Sequence, residues 1–197
     1  MPIPSSNKDT RTHVTTHDEY PDDNTMVYIS GSDKIATKEN LVTEYDKYKI
    51  TQGKCFYISG FETIASGNNL FISAHVANSG IYPKIVFNID ATSQTELVVY
   101  EGSTFTNGTE VSVFNKDRSS SNTSIMNISR DVSISNSGSA IFSASKGLIG
   151  TPVQKSDNLS FGCDGGVVFN KNSNYLFKIT SKSEDNIVSY YASWNEA

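Results

Sequence analysis

The chain has 197 residues, of which 37% are apolar, 11% aromatic and 19% charged, with a net charge of −5. That length suits one domain of ordinary size with a tail. The acidic balance and scattered Lys and Arg argue against a nucleic-acid footprint. No window approaches the ~20 consecutive apolar residues that a membrane-spanning helix needs.

Residues 1–25 stand apart. They are polar, hold three prolines and carry almost no large apolar side chains. Such a segment buries too little surface to offset its ordering entropy. It reads as an extended or flexible N-terminal arm, a candidate for ordering on a partner. Its start lacks the apolar run of a secretory signal, so the expectation is a cytoplasmic product. Residues 26–50 read as a connecting segment. Met26–Ile29 is β-prone, and Ser32 to Lys49 is the one helix candidate, with Leu41, Tyr45 and Tyr48 near helical spacing.

From residue 51 to 197 strand follows strand. Cys55–Phe61 and Leu70–Val76 flank the turn Ser66-Gly67-Asn68-Asn69. Lys84–Asp90 sets Ile85, Phe87 and Ile89 on one face, with Pro83 at its start, where a proline is tolerated. Leu97–Tyr100 is broken by Glu101-Gly102, and the turn signal Asn107-Gly108 leads to a strand over Glu110–Phe114. Shorter runs follow at Ser124–Ser129, Val132–Ser135 and Ser139–Ser143. Ala144–Gly165 reads as a long surface loop, and Gly166–Asn170 as a strand. Asn172-Ser173-Asn174 turns the chain into a closing hairpin, Tyr175–Thr180 with Ile187–Trp194. Eight or more strands at this spacing predict an all-β fold. The expected form is an antiparallel β-sandwich of jelly-roll type with an extended N-terminal arm. Ten Tyr, ten Phe and Trp194 are enough to fill its thin core.

Candidate chemistry is sparse. His13 and His17 have the i, i+4 spacing of metal ligands on a helix, but the residues around them do not favour a helix and no third ligand is placed. His75 ends a strand and reads as a hydrogen-bonded rim residue. Cys55 reads as a buried thiol and Cys163 as a half-exposed one in a glycine-rich loop; no local base or cation activates either. Asp90, Glu96 and Glu101 sit at strand ends, where water solvates them. Asp157-Asn158 and Asp164-Gly165-Gly166 offer oxygens to calcium without the EF-hand pattern. The glycines read as turn residues, and no phosphate loop precedes a helix. No catalytic residue, cofactor or metal is expected, and the chain is not read as an enzyme. A facing carboxylate pair of glycosidase type is left open. Tyr190, Tyr191 and Trp194 suit stacking on a sugar ring; packing in the core or at a subunit interface is the favoured reading.

Three short motifs resemble a known family: Tyr100-Glu101-Gly102, the loop Asn115-Lys116-Asp117-Arg118-Ser119-Ser120, and the ending Tyr191 to Glu196 after Tyr175-Leu176. They are similar to those of head-associated structural proteins of tailed bacteriophages, of the capsid decoration (cement) type. The overlap covers roughly residues 50–196. Lys116-Asp117-Arg118 departs from that family's usual Asn-Arg-Asn-Arg loop, and the spacing of the last aromatics to Glu196 is altered. The resemblance implies a virion protein on the outer capsid surface, often a homotrimer. It would bridge subunits of the major capsid protein and act by binding alone. Its implied contacts are Pro2, Ile3, Pro4, His13, Val14 and Tyr20 in the arm, Asn115, Lys116, Asp117 and Arg118 in the loop, and Tyr191 and Trp194 near the end. A carbohydrate-binding β-sandwich of a virion fibre or tail is the alternative, and it predicts an exposed aromatic platform.

Overall fold

The computed structural model describes residues 27–28, 35–36, 47–106, 108–147, 158–162 and 165–196. The chain divides into two compact units, Met1–Tyr48 and Lys49–Ala197. In the first, β1 (Val27–Tyr28) pairs antiparallel with β2 (Ile35–Ala36). This corrects the start of the helix expected over Ser32–Lys49, of which residues 32–34 and 37–46 lie outside the described residues. The β-branched Ile35 takes an extended backbone, and helix is found at residues 47–51. The arm, residues 1–25, lies outside the described residues.

The second unit holds two antiparallel sheets. The first runs β12 (Ser139–Lys146), β6 (Thr95–Glu101), β15 (Ser173–Ser181), β4 (Asn69–Val76), β10 (Met126–Arg130), β8 (Thr109–Glu110). The second runs β13 (Leu159–Phe161), β5 (Pro83–Ala91), β16 (Asn186–Glu196), β3 (Cys55–Ile64), β9 (Phe114–Asn115), with β14 (Val167–Val168) also paired to β5. A separate ribbon joins β7 (Thr104–Thr106) to β11 (Ser133–Asn136).

The sheets pack as a sandwich around one apolar cluster. Ile85, Phe87 and Ile89 of β5 alternate inward, as do Val188, Tyr190, Ala192 and Trp194 of β16. Phe87 stacks on Phe177 across the gap, with ring centroids 4.2 Å apart. Phe161 meets Phe142 edge-on at 5.4 Å. Each such ring pair adds about 0.5–1.5 kcal/mol to what burial alone contributes.

Three expected elements change. The strand over Glu110–Phe114 is split: β8 pairs β10 in the first sheet, and β9 pairs β3 in the second. Residues 111–113 therefore carry the chain from one sheet to the other, with Val111 and Val113 packed against the core. The loop expected over Ala144–Gly165 begins late, because β12 runs on to Lys146, and it contains β13. The turn expected at Asn172–Asn174 is shorter, since β15 starts at Ser173.

Candidate binding face

An antiparallel sheet with one wet face normally turns polar side chains to solvent. The second sheet sets large apolar side chains among its polar ones. In β3, Phe56 and Ile58 point into the core, so Tyr57, Ser59 and Phe61 point out. In β16 the outward set is Ile187, Ser189 and Tyr191. Phe61 is 74% exposed, Ile187 45%, Phe114 39% and Tyr191 38%.

The register joins three of these rings into a strip. Phe114 is the Cα partner of Tyr57, and their rings lie 5.6 Å apart. Tyr57 is the partner of Ser193, and Tyr191 of Ser59, which makes Tyr57 and Tyr191 diagonal neighbours; their rings stack at 6.1 Å. At the far end the Arg118 guanidinium carbon sits 5.4 Å from the Phe114 ring centre, a cation–π contact. Phe61 lies opposite Ser189, and Asn88 opposite Tyr191. The rings are thus flanked by Ser59, Ser189, Ser193 and Asn88, all uncharged hydrogen-bonding side chains.

The loop after Phe114 is held firmly. Asn115 is buried; its Nδ2 donates to the carbonyls of Gly53 at 2.9 Å and Asn122 at 3.3 Å, while its Oδ1 accepts from the Asp117 amide. Asp117 Oδ1 accepts from the Ser119 hydroxyl at 2.6 Å and the Ser119 amide at 3.0 Å. These two bonds, the hydroxyl first, hold the Asp117 carboxyl below the ordinary carboxylate range. Gly53 has φ +65°, and a Cβ there would collide with the Ser120 side chain, so the 52–53 turn and the loop require glycine where they meet.

The chain's end locks the same corner. Glu196 is 5% exposed, and its carboxylate accepts from Trp194 Nε1 at 2.9 Å, the Ser124 hydroxyl at 2.5 Å and the Ile125 amide at 3.1 Å. Its amide donates to the Lys54 carbonyl. Beside this corner opens a depression of about 250 Å³, lined by Phe56, Met126, Ile128, Asn115 and Asn122 among others.

Of the contact residues expected from sequence, Arg118 and Tyr191 are exposed and belong to the strip, while Lys116 and Asp117 are half-buried beside it. Asn115 is interior and organises the loop. Trp194, 3% exposed and stacked on Phe56, is also interior, as is Tyr190. Both take the core alternative and leave Tyr191 as the outward ring of β16. Pro2, Ile3, Pro4, His13, Val14, His17 and Tyr20 lie outside the described residues, as do Asp157, Cys163 and Asp164. His75 Nδ1 is 2.7 Å from Asn174 Oδ1. The three strand-end carboxylates are all engaged: Asp90 by Lys146 at 2.9 Å, Glu96 by Lys182 at 3.0 Å, Glu101 by Tyr175 at 2.6 Å.

Comparison with known protein families, with curated proteins and with solved structures gives no match. Among the described residues no three His, Cys, Asp or Glu side chains converge as metal ligands, and no helix is long and apolar enough to cross a membrane.

Tyr57, Phe61, Phe114 and Ile187 are the strip residues that sequence reasoning missed. Their signal was parity. In Cys55–Phe61 rings occupy both faces of one strand, Phe56 on one and Tyr57 and Phe61 on the other. A sandwich strand with only one buried face has no interior place for the second set.

Proposed function

We propose that the chain is a structural protein that works by docking, a capsid decoration (cement) protein on the outer head shell of a tailed bacteriophage. The observation that carries this reading is the ring strip. An outward row of Phe114, Tyr57 and Tyr191, with Phe61 beside it and Arg118 at one end, has the composition of interface hot spots, which favour Tyr, Trp and Arg. Burying it against a shell protein withdraws apolar area at about 25 cal/mol per Å². The flanking Ser and Asn side chains desolvate more cheaply than ions do.

The strand order supports the jelly-roll form of this reading. The sequence β3-β16-β5-β13 in one sheet and β4-β15-β6-β12 in the other is the order in which eight strands alternate between the sheets of a jelly roll. On this reading β8, β9 and β10 are additions carried by the insertion between β6 and β12. The three motifs of the family resemblance then have architectural duties. Glu101 clamps Tyr175, Asn115 shapes the loop that presents Arg118, and Glu196 fastens the last strand.

Mixing the purified protein with undecorated heads of the phage that encodes it, followed by sedimentation, tests the reading. Saturable uptake at a fixed ratio to the capsid subunit is expected; absence of uptake overturns it. The neutral hydroxyl and amide flank of the rings favours a second reading, stacking on a neutral polysaccharide. Retention by a neutral glycan array, without head binding, would select that one.

A further inference from the structure

Natural sheets blunt their edges, because an open edge strand offers unpaired backbone groups to any other strand. Among the described residues, three of the four ends of the two sandwich sheets follow that rule. β8 and β9 have two residues each, and the β13–β14 end has three and two. The fourth does not. β12 has eight residues, Ser-Ala-Ile-Phe-Ser-Ala-Ser-Lys, and among the described residues it pairs only with β6. It contains no proline, and its single charge is turned away. Lys146 is 4% exposed in its side chain, with Nζ 2.9 Å from Asp90 and 3.2 Å from the Ala91 carbonyl. A bulge between Ala140 and Phe142 bends the strand's start and leaves Phe142–Lys146 as a regular run. Ser143 and Ser145 of that run are exposed, and Ile141 beside it is 42% exposed.

We propose that this edge pairs with the same edge of a second copy of the chain, antiparallel and about a twofold axis at Ala144. The occupant follows from chemistry. A charged strand finds no counter-charge along Phe142–Lys146, whereas the identical strand matches it in length and in neutrality. The twofold sets Ser143 opposite Ser145 of the second copy and Phe142 opposite Lys146 of the second copy, so no like charges meet. The joined strands continue the first sheet from one copy into the next and satisfy the open backbone groups of both. This proposal is independent of the ring strip, which lies on the other sheet.

Sedimentation equilibrium over a concentration series tests it. The wild-type mass is expected to rise to twice the 21.5 kDa of one chain. S143K/S145K, which sets lysines opposite lysines across the axis, is expected to stay at one chain mass, and so is S143E/S145E. An equal mixture of the two variants is expected to recover the doubled mass, because each Lys then faces a Glu; this recovery also shows that both variants fold. A wild-type mass of one chain throughout overturns the proposal, and so does a mass of three chains. A doubled mass that survives S143K/S145K, or that is lost in Y57S/Y191S, overturns it as well.

Discussion

Tyr175 and Glu101 are Cα partners in the β15–β6 ladder, and the Tyr175 hydroxyl donates to Glu101 Oε1 at 2.6 Å. The same phenol accepts the Asn170 amide at 2.8 Å and stacks on Phe169 with centroids 3.6 Å apart. Burial, and then the Glu101 carboxylate, push the Tyr175 phenol well above its ordinary value of 10.0. A raised folded-state value stabilises the fold fully below the unfolded value and less as pH climbs through the folded one. The melting temperature should therefore fall steeply above pH 10. Burial raises Tyr190 too, which adds to the slope. Tyr175→Phe should cost about 1–3 kcal/mol at neutral pH and flatten the alkaline decline, as read by circular dichroism melts across pH. An unchanged slope would remove Tyr175 from this role.

Asn186 is fully buried where β16 begins. Its Nδ2 donates to Thr95 Oγ1 at 2.8 Å and Ser181 Oγ at 3.1 Å, and its Oδ1 accepts from the Ser93 amide at 2.9 Å. One side chain thus ties β16 to the β5–β6 turn and to the end of β15. Asn186→Ala leaves those groups unsatisfied and should cost about 2–4 kcal/mol. Urea unfolding should show a lower midpoint with an unchanged slope.

Gly60 faces the Tyr190 phenol so closely that a Cβ would overlap its oxygen and ring. Gly60→Ala should destabilise by about 1–3 kcal/mol, because Tyr190 must leave its place against the core. The double variant Gly60→Ala/Tyr190→Phe should recover part of the loss in the same urea titration.

The strip is built on the surface, so its removal should leave the fold intact. Phe61→Ser should change stability by less than about 0.5 kcal/mol, the range for surface substitutions, while Tyr191→Ser gives up the stack on Tyr57 and should cost about 0.5–1.5 kcal/mol. Head binding should weaken at least tenfold, which corresponds to about 1.4 kcal/mol. Co-sedimentation and thermal melts on the same samples separate the two effects.

The strict alternation of Ile85, Phe87 and Ile89 was legible in the sequence and names its inward face without help; for Ile187–Trp194 the strand was legible, but not that Tyr190 and Trp194 turn inward while Tyr191 turns out. β12 was read short because Ala144, Ser145 and Lys146 resemble a polar loop. Only the tertiary pairing of Lys146 with Asp90 and Ala91 makes a buried lysine tolerable there. β13 was hidden because three residues carry no period. The split after Glu110 was hidden because residues 111–113 are β-prone yet pass between sheets, a fact set by partners distant in sequence. Within the candidate site, Arg118 and Tyr191 were legible. Asn115 and Trp194 were singled out as contacts, but their hydrogen bonds and packing face inward.

Radical footprinting of the protein bound to heads, compared with the free protein, tests the central claim most directly. Oxidation of Tyr57, Phe61, Phe114 and Tyr191 should fall on binding, while Tyr82, 45% exposed and off the strip, should label as before. Equal labelling of the four strip rings in both states would contradict docking through this face.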